Sequence, residues 1–269
     1  MKKLFFLTVL LSPLLIACQA QQSKEDATKQ EVQTIVVATA GDIKPFDFEE
    51  NGNLTGYDIE VLKAVDKKLP QYKIEYKRTS WESIFPGIDG GRYQAAANNL
   101  SFTEERANKY LYSAPIAKNP LVLVTKKGSS IQTLDDIAGK TTQDDTGTST
   151  AKLVTDWNEK HADNPSKIDY SGEDVGKRLL DLDNGEFDYL IFDKISVDTI
   201  VRDKGLDLTI VELEGNPLNY IIFSKGNSAF QKDFNASLKE LYKDGTLEKL
   251  SQKFFGGSYL PAEKEFVEP

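Results

Sequence analysis

Few side chains in this sequence are suited to nucleophilic or metal chemistry. Among 269 residues there is one cysteine, Cys18, and one histidine, His161. A single thiol excludes an intramolecular disulfide and any zinc site built on several thiolates. A single imidazole excludes multi-histidine metal sites. His161 lies in a polar run, Glu159 to Asn164, and reads as a solvated surface residue rather than a catalytic base. No Ser–His or Cys–His pair can be assembled. No Gly-x-Gly-x-x-Gly or Walker-type loop is present, so no nucleotide site and no cofactor is expected. The remaining chemistry is electrostatic. Arg106 follows Thr103, an N-cap signal, and two acidic residues, which sets a guanidinium near a helix N-terminus where anions are favoured. The alternative is a surface arginine paired with Glu104 or Glu105. Asp193 follows the apolar run Tyr189 to Phe192, so its carboxylate sits at a strand end. It also stands where it can cap a helix from Ile195, and the two roles are compatible. Asp144 and Asp145 interrupt an otherwise strand-like stretch, Thr141 to Thr146. Either that strand is an exposed edge, or one aspartate faces a cleft and meets a second positive charge.

These residues are positioned by alternating strand and helix signals. Ile35 to Ala38, Lys73 to Thr79, Gln94 to Asn98, Leu121 to Thr125, Tyr189 to Phe192, Leu208 to Val211 and Ile221 to Phe223 read as strands. Asp58 to Lys68 reads as a helix, with Ile59, Leu62, Val65 and Leu69 at spacings of three and four, stopped by Pro70. Trp81 to Ile88 is a short helix ended by Gly90-Gly91. Ser149 to Lys160, Asp174 to Asn184 (closed by Gly185), Ile195 to Lys204, Ala229 to Lys243 and Thr246 to Phe254 complete the helices. Such alternation implies an α/β fold with mostly parallel sheets, and ligands in such sheets bind at the carboxyl ends of strands. The length suits about two domains of roughly 150 residues. A net charge of -9 argues against nucleic acid and against a polybasic membrane contact.

The N-terminus reads as a targeting segment, 1–17. Lys2 and Lys3 precede an apolar stretch, Leu4 to Ile16, that is shorter than the about 20 residues of a spanning helix. Leu15-Ile16-Ala17-Cys18 then resembles the lipobox of bacterial lipoproteins, in which the cysteine sulfur carries a diacylglyceryl group. Residues 18–33 are polar and low in complexity, the composition of a flexible tether.

Within the body, Asn98-Asn99-Leu100-Ser101-Phe102-Thr103-Glu104-Glu105-Arg106 resembles a segment of the polar amino-acid-binding proteins of bacterial ABC importers, extracellular solute-binding family 3. The resemblance extends in order through Lys44-Pro45-Phe46, Leu54-Thr55-Gly56-Tyr57-Asp58-Ile59, Thr79-Ser80-Trp81 with Ile84-Phe85-Pro86, Ser113-Ala114-Pro115, Leu134 to Lys140, Gly185-Glu186-Phe187-Asp188 with Asp193, and Lys243-Asp244-Gly245-Thr246-Leu247. It implies a two-lobed clamshell with two hinge crossovers. Lobe 1 is expected at 34–117 and 220–262, and lobe 2 at 121–212. By that resemblance Arg106 binds the ligand carboxylate, Asp193 accepts from its ammonium, and Trp81 packs on its side chain. Asn99 and Ser101 bond the ligand ends, and Thr148 and Ser149 form a helix N-terminus closing over the carboxylate. Two departures stand out: Ala40 replaces an acidic residue found in some members, and Ile43 replaces an aromatic found in many. Both weaken a lysine- or arginine-type ligand.

The expected function is capture of a polar amino acid, with cystine favoured, and its delivery to an ABC permease. The protein is expected to work as a lipid-anchored monomer on the outer face of the bacterial cell membrane. A surface adhesin of the same fold is the alternative, and a dehydratase-like enzyme a remote third.

Overall fold

The computed structural model describes residues 32–215 and 217–269. The targeting segment, Cys18 and nearly all of the tether lie outside the described residues. Gln33, assigned to the tether from composition, instead opens the first strand and pairs with Tyr72.

The first lobe is built from β1 (Gln33–Thr39), β2 (Asp42–Ile43), β3 (Asp47–Glu50), β4 (Asn53–Thr55), α1 (Tyr57–Asp66), β5 (Tyr72–Arg78), α2 (Trp81–Asp89), β6 (Ala95–Ser101), α3 (Glu104–Lys109), β7 (Tyr110–Tyr112) and β8 (Ala117–Lys118). The second holds β9 (Leu121–Lys126), β10 (Thr141–Gln143), α4 (Ser149–Lys160), β11 (Lys167–Asp169), α5 (Val175–Asn184), β12 (Tyr189–Asp193), α6 (Lys194–Lys204) and β13 (Leu208–Glu212). The chain then returns to the first lobe as β14 (Leu218–Ser224), α7 (Ser228–Lys243) and α8 (Thr246–Phe255).

The sheets are mixed, which corrects the expectation of mostly parallel strands. In the first lobe β5, β1 and β6 run parallel, but β14 pairs antiparallel with β6, β7 and β8. In the second lobe β9 is flanked by β12 and β13, both antiparallel to it, and only β10 and β11 are parallel. The reason lies in the crossovers. β9 enters the second lobe from the hinge and β13 leads back out, so the two run oppositely. Alternation of strand and helix fixes the order of elements but not the sense of a strand that changes lobe.

Strand periodicity sets the layers of the second lobe. Val122, Val124 and Leu190 pack with Val175, Leu179 and Leu182 of α5 on one face. Leu123, Tyr189 and Ile191 pack with Val154 and Trp157 of α4 on the other. In the first lobe, α1 buries Tyr57, Val61, Leu62 and Val65 among residues of β1, α7 and α8. Gly56 starts α1 at φ 117, and a Cβ there would lie 2.3 Å from the Phe46 carbonyl oxygen, so only glycine fits. His161 is not simply solvated. It ends α4 half-buried and stacks on Trp157 with ring centroids 3.9 Å apart.

Candidate functional site

A cavity of ≈ 210 Å³ lies between the lobes. That is more than ten times the about 15 Å³ needed to admit one water. All seven residues singled out from the sequence line it: Trp81, Asn99, Ser101, Arg106, Thr148, Ser149 and Asp193. The first four come from the first lobe and the last three from the second.

Arg106 is placed by a short helix with a matching cap. The Thr103 hydroxyl accepts from the Arg106 backbone N–H at 3.2 Å. The side chain turns inward and is only 7% exposed. Its Nη1 donates to the Ser101 carbonyl at 3.1 Å, and its Nη2 donates across the cleft to the Gly147 carbonyl at 2.9 Å. The guanidinium lies over the Phe85 ring at 4.9 Å and near Trp81 at 5.5 Å. No carboxylate stands within ion-pair distance of it among the described residues, so the surface pairing with Glu104 or Glu105 does not occur. Burial lowers its pKa from the ordinary value. A desolvated guanidinium without a counter-ion is a ready receptor for a carboxylate, which it can grip through two parallel hydrogen bonds.

Asp193 closes β12 and begins α6, and it does both jobs open to it. One oxygen accepts from the Ser196 backbone N–H at 2.7 Å, capping the helix. The other accepts from Asn99 Nδ2 at 3.0 Å. Burial pushes its carboxyl up to about 6, against the lowering effect of those bonds. An arriving ammonium would restore the ionised form.

Asn99 has a larger role than lining the cavity. Its φ is 48, an uncommon conformation for a residue with a Cβ. Its backbone N–H donates to Asp58 at 2.9 Å, and its side-chain oxygen accepts from Asn119 Nδ2 at 2.8 Å. Asp58 also accepts from Asn219 Nδ2 at 2.7 Å, and burial raises it to about 7. A buried polar ladder thus runs from Asp58 through Asn99 to Asp193, with Asn119 of the crossover joined to it. Sequence reasoning quoted Asp58 in a motif without a role and missed Asn119 altogether. Both are polar residues in apolar surroundings, which was the available signal.

The remaining wall is mixed in character. Trp81 is half-buried, with its Nε1 donating to the Thr146 carbonyl at 2.9 Å, so it is a cleft residue and not a core tryptophan. Thr148 caps α4 through the Ala151 N–H at 3.0 Å and donates its own proton to Asp144 at 2.8 Å. Its hydroxyl is therefore committed, and the helix start at Ser149 presents backbone N–H groups instead. Gly147, at φ 80 with open space where a Cβ would stand, lets its carbonyl approach Arg106.

The aspartate pair divides. Thr141 to Gln143 forms the strand, parallel to β11, and both aspartates fall past its carboxyl end. Asp144 turns inward and is 5% exposed, whereas Asp145 lines the cavity. The exposed-edge reading is therefore wrong, and the second positive charge is Arg178, whose Nη2 lies 2.7 Å from Asp145. The sequence did carry that signal. Arg178 sits on the apolar stripe of α5, with Val175, Leu179 and Leu182 at helical spacing.

Comparison with known proteins agrees with this geometry. The family described as bacterial extracellular solute-binding proteins, family 3, matches residues 35–257. The L-cystine-binding protein TcyJ of Bacillus subtilis is 30% identical over 261 residues, 94% of this chain and 95% of that protein. A structure reported under the molecular and structural basis of glutathione import in Gram-positive bacteria via GshT and the cystine ABC importer TcyBC of Streptococcus mutans is 46% identical. It has a TM-score of 0.85 and covers 87% of this chain and 99% of that one. A putative L-cystine ABC transporter structure from Listeria monocytogenes is 29% identical with a TM-score of 0.80, covering 88% of this chain and 100% of that one. With the fold, the inter-lobe cavity and the match over 35–257 in agreement, this chain belongs to family 3 of the bacterial extracellular solute-binding proteins.

Proposed function

We propose that the protein captures an extracellular amino acid between its lobes and hands it to an ABC permease, and that cystine is its ligand. One observation carries this reading. Arg106 and Asp193, both buried, face a single cavity from opposite lobes, and the arginine lacks an acidic partner. A carboxylate on Arg106 and an ammonium on Asp193 complete both groups at once. The cystine disulfide then lies against Trp81, since sulfur packs well on aromatic edges, and Asp145 is within the cavity to accept a second ammonium. The relatives that bind L-cystine support this choice. Residues 34–117 with 220–262, and 121–212, act as the two closing lobes. Cys18 carries the lipid that holds the monomer at the outer face of the membrane, and the Cys18→Ala protein should be lost from the membrane fraction.

A second ligand, glutathione, is favoured by one observation, the 46% identical structure tied to glutathione import. A thermal-shift screen of the protein against amino acids, cystine and glutathione tests the reading. A true ligand at 100 times its dissociation constant adds about 2.7 kcal/mol of stability. Stabilisation by cystine supports the proposal. Stabilisation by glutathione alone replaces the ligand while keeping the receptor role, and no stabilisation by any amino-acid compound would overturn it.

A further inference from the structure

The cavity contains more charge than one amino-acid end requires. Away from Arg106 and Asp193, its lining includes Asp42 of the first lobe and Asp145, Asp174 and Arg178 of the second. Arg178 is only 2% exposed, yet its Nε and Nη2 have no hydrogen-bond partner. The close approach of Nη2 to Asp145 is an ion pair by distance, but it is not aligned as a hydrogen bond. Asp144 lies 3.8 Å from Nη1, and its own oxygen is already occupied by the Asp145 N–H and the Thr148 hydroxyl. A guanidinium buried this deeply is costly unless its donors are met. Donors left open at a cavity wall match a planar anion with two oxygens.

The acidic residues point to the complementary charge. Asp42 and Asp174 are exposed at the rim, on opposite lobes, and each feels the other: Asp174 and Asp145 both push the Asp42 carboxyl upward, after burial itself. Like charges brought together across a closing cleft oppose closure. A cation between them would reverse that effect. Asp174 is also the N-cap of α5, accepting from the Lys177 N–H at 3.0 Å, so its position relative to Arg178 is fixed by one helical turn.

We propose that the cleft has a second amino-acid-binding pole, in which Arg178 takes a distal carboxylate and Asp42, Asp145 and Asp174 take a distal ammonium. The ligand class is then a two-headed amino acid, with an α-amino and α-carboxylate group at each end. This inference rests on the receptor role proposed above and adds residues that decide specificity. A tripeptide with a γ-glutamyl end has a distal carboxylate but no distal ammonium. It would use Arg178 and leave the three aspartates unmatched.

Calorimetric titration with three probes separates these contributions: L-cystine, glutathione and the single-headed S-methyl-L-cysteine. Arg178→Met is expected to weaken the two-ended probes by about ten- to a hundredfold, the value of a charge-assisted hydrogen bond, with S-methyl-L-cysteine unchanged. The Asp42→Asn, Asp174→Asn double variant keeps an N-capping residue at 174 and alters only exposed side chains. It is expected to weaken cystine by about three- to tenfold, within the range of exposed charge pairs, and to spare the other two probes. Unchanged cystine binding in the double variant overturns the ammonium half of the pole. Unchanged cystine and glutathione binding in Arg178→Met, or an equal loss for S-methyl-L-cysteine, overturns the carboxylate half. Should Arg178→Met fail to fold, the double variant still decides whether the far pole is read. Failure of all three probes to bind the unaltered protein would instead defeat the receptor reading, and is told apart from failure of the second pole by that control.

Discussion

Arg106 and Asp193 illustrate how burial turns ordinary side chains into receptors. Removing the guanidinium in Arg106→Ala deletes a bidentate, charge-assisted contact worth more than about 1.5–3 kcal/mol, so affinity should fall on the order of a hundredfold or greater. A loss below about threefold in a binding titration would take Arg106 out of the site. Asp193 gives a pH prediction with two opposite signs. Its folded value of about 6 lies above the ordinary 3.8, so the empty protein holds a proton that the unfolded chain releases. That stabilising contribution is present below pH 3.8 and is lost as pH rises through about 6. Ligand affinity runs the other way, because the ammonium needs the ionised carboxylate: it should be flat above about pH 6 and fall below it. Asp193→Asn should be weak and flat across that window. A wild-type affinity that stays constant from pH 7 to 4.5 would count against Asp193 as the ammonium acceptor.

At the scale of elements, the sequence was informative wherever periodicity was long. The helices at Ser149–Lys160 and Val175–Asn184 stand where caps and apolar spacing put them, and Thr103, Thr148 and Asp174 cap as their types suggest. The strands β2, β3, β4 and β11 escaped notice because runs of two to four residues show no period. Arg178 was readable in principle, as a charge on an apolar helical stripe. Asp42 was not, because its proximity to Asp145 and Asp174 exists only once two lobes meet. Residues of the near pole came from an ordered set of motifs, whereas the ladder through Asn119 is a product of the crossovers and has no local signature. Gly56 offers a test at this scale. In Gly56→Ala the added carbon meets the Phe46 carbonyl oxygen, at a φ that disfavours side chains. Stability should drop by more than about 1 kcal/mol, as measured by urea unfolding, and an unchanged midpoint would show that the turn relaxes.

For the whole molecule, the contacts across the cleft describe a closed arrangement. Trp81 bonds Thr146, Arg106 bonds Gly147, Asn99 bonds Asp193, and Lys44 pairs with Asp203 at 3.1 Å. Few bonds, two of them to backbone carbonyls, hold it shut, and two crossovers leave it a hinge. Ligand should therefore shift a population from open to closed. Small-angle scattering should show a smaller radius of gyration on saturation, and identical profiles with binding established would argue for a rigid body. The central claim, that an amino-acid zwitterion is held between Arg106 and Asp193, is tested most directly by titrating L-cystine into the protein in a calorimeter, alongside Arg106→Ala. The account predicts one site in the unaltered protein and affinity lower by on the order of a hundredfold in the variant. Equal affinity in both would contradict it.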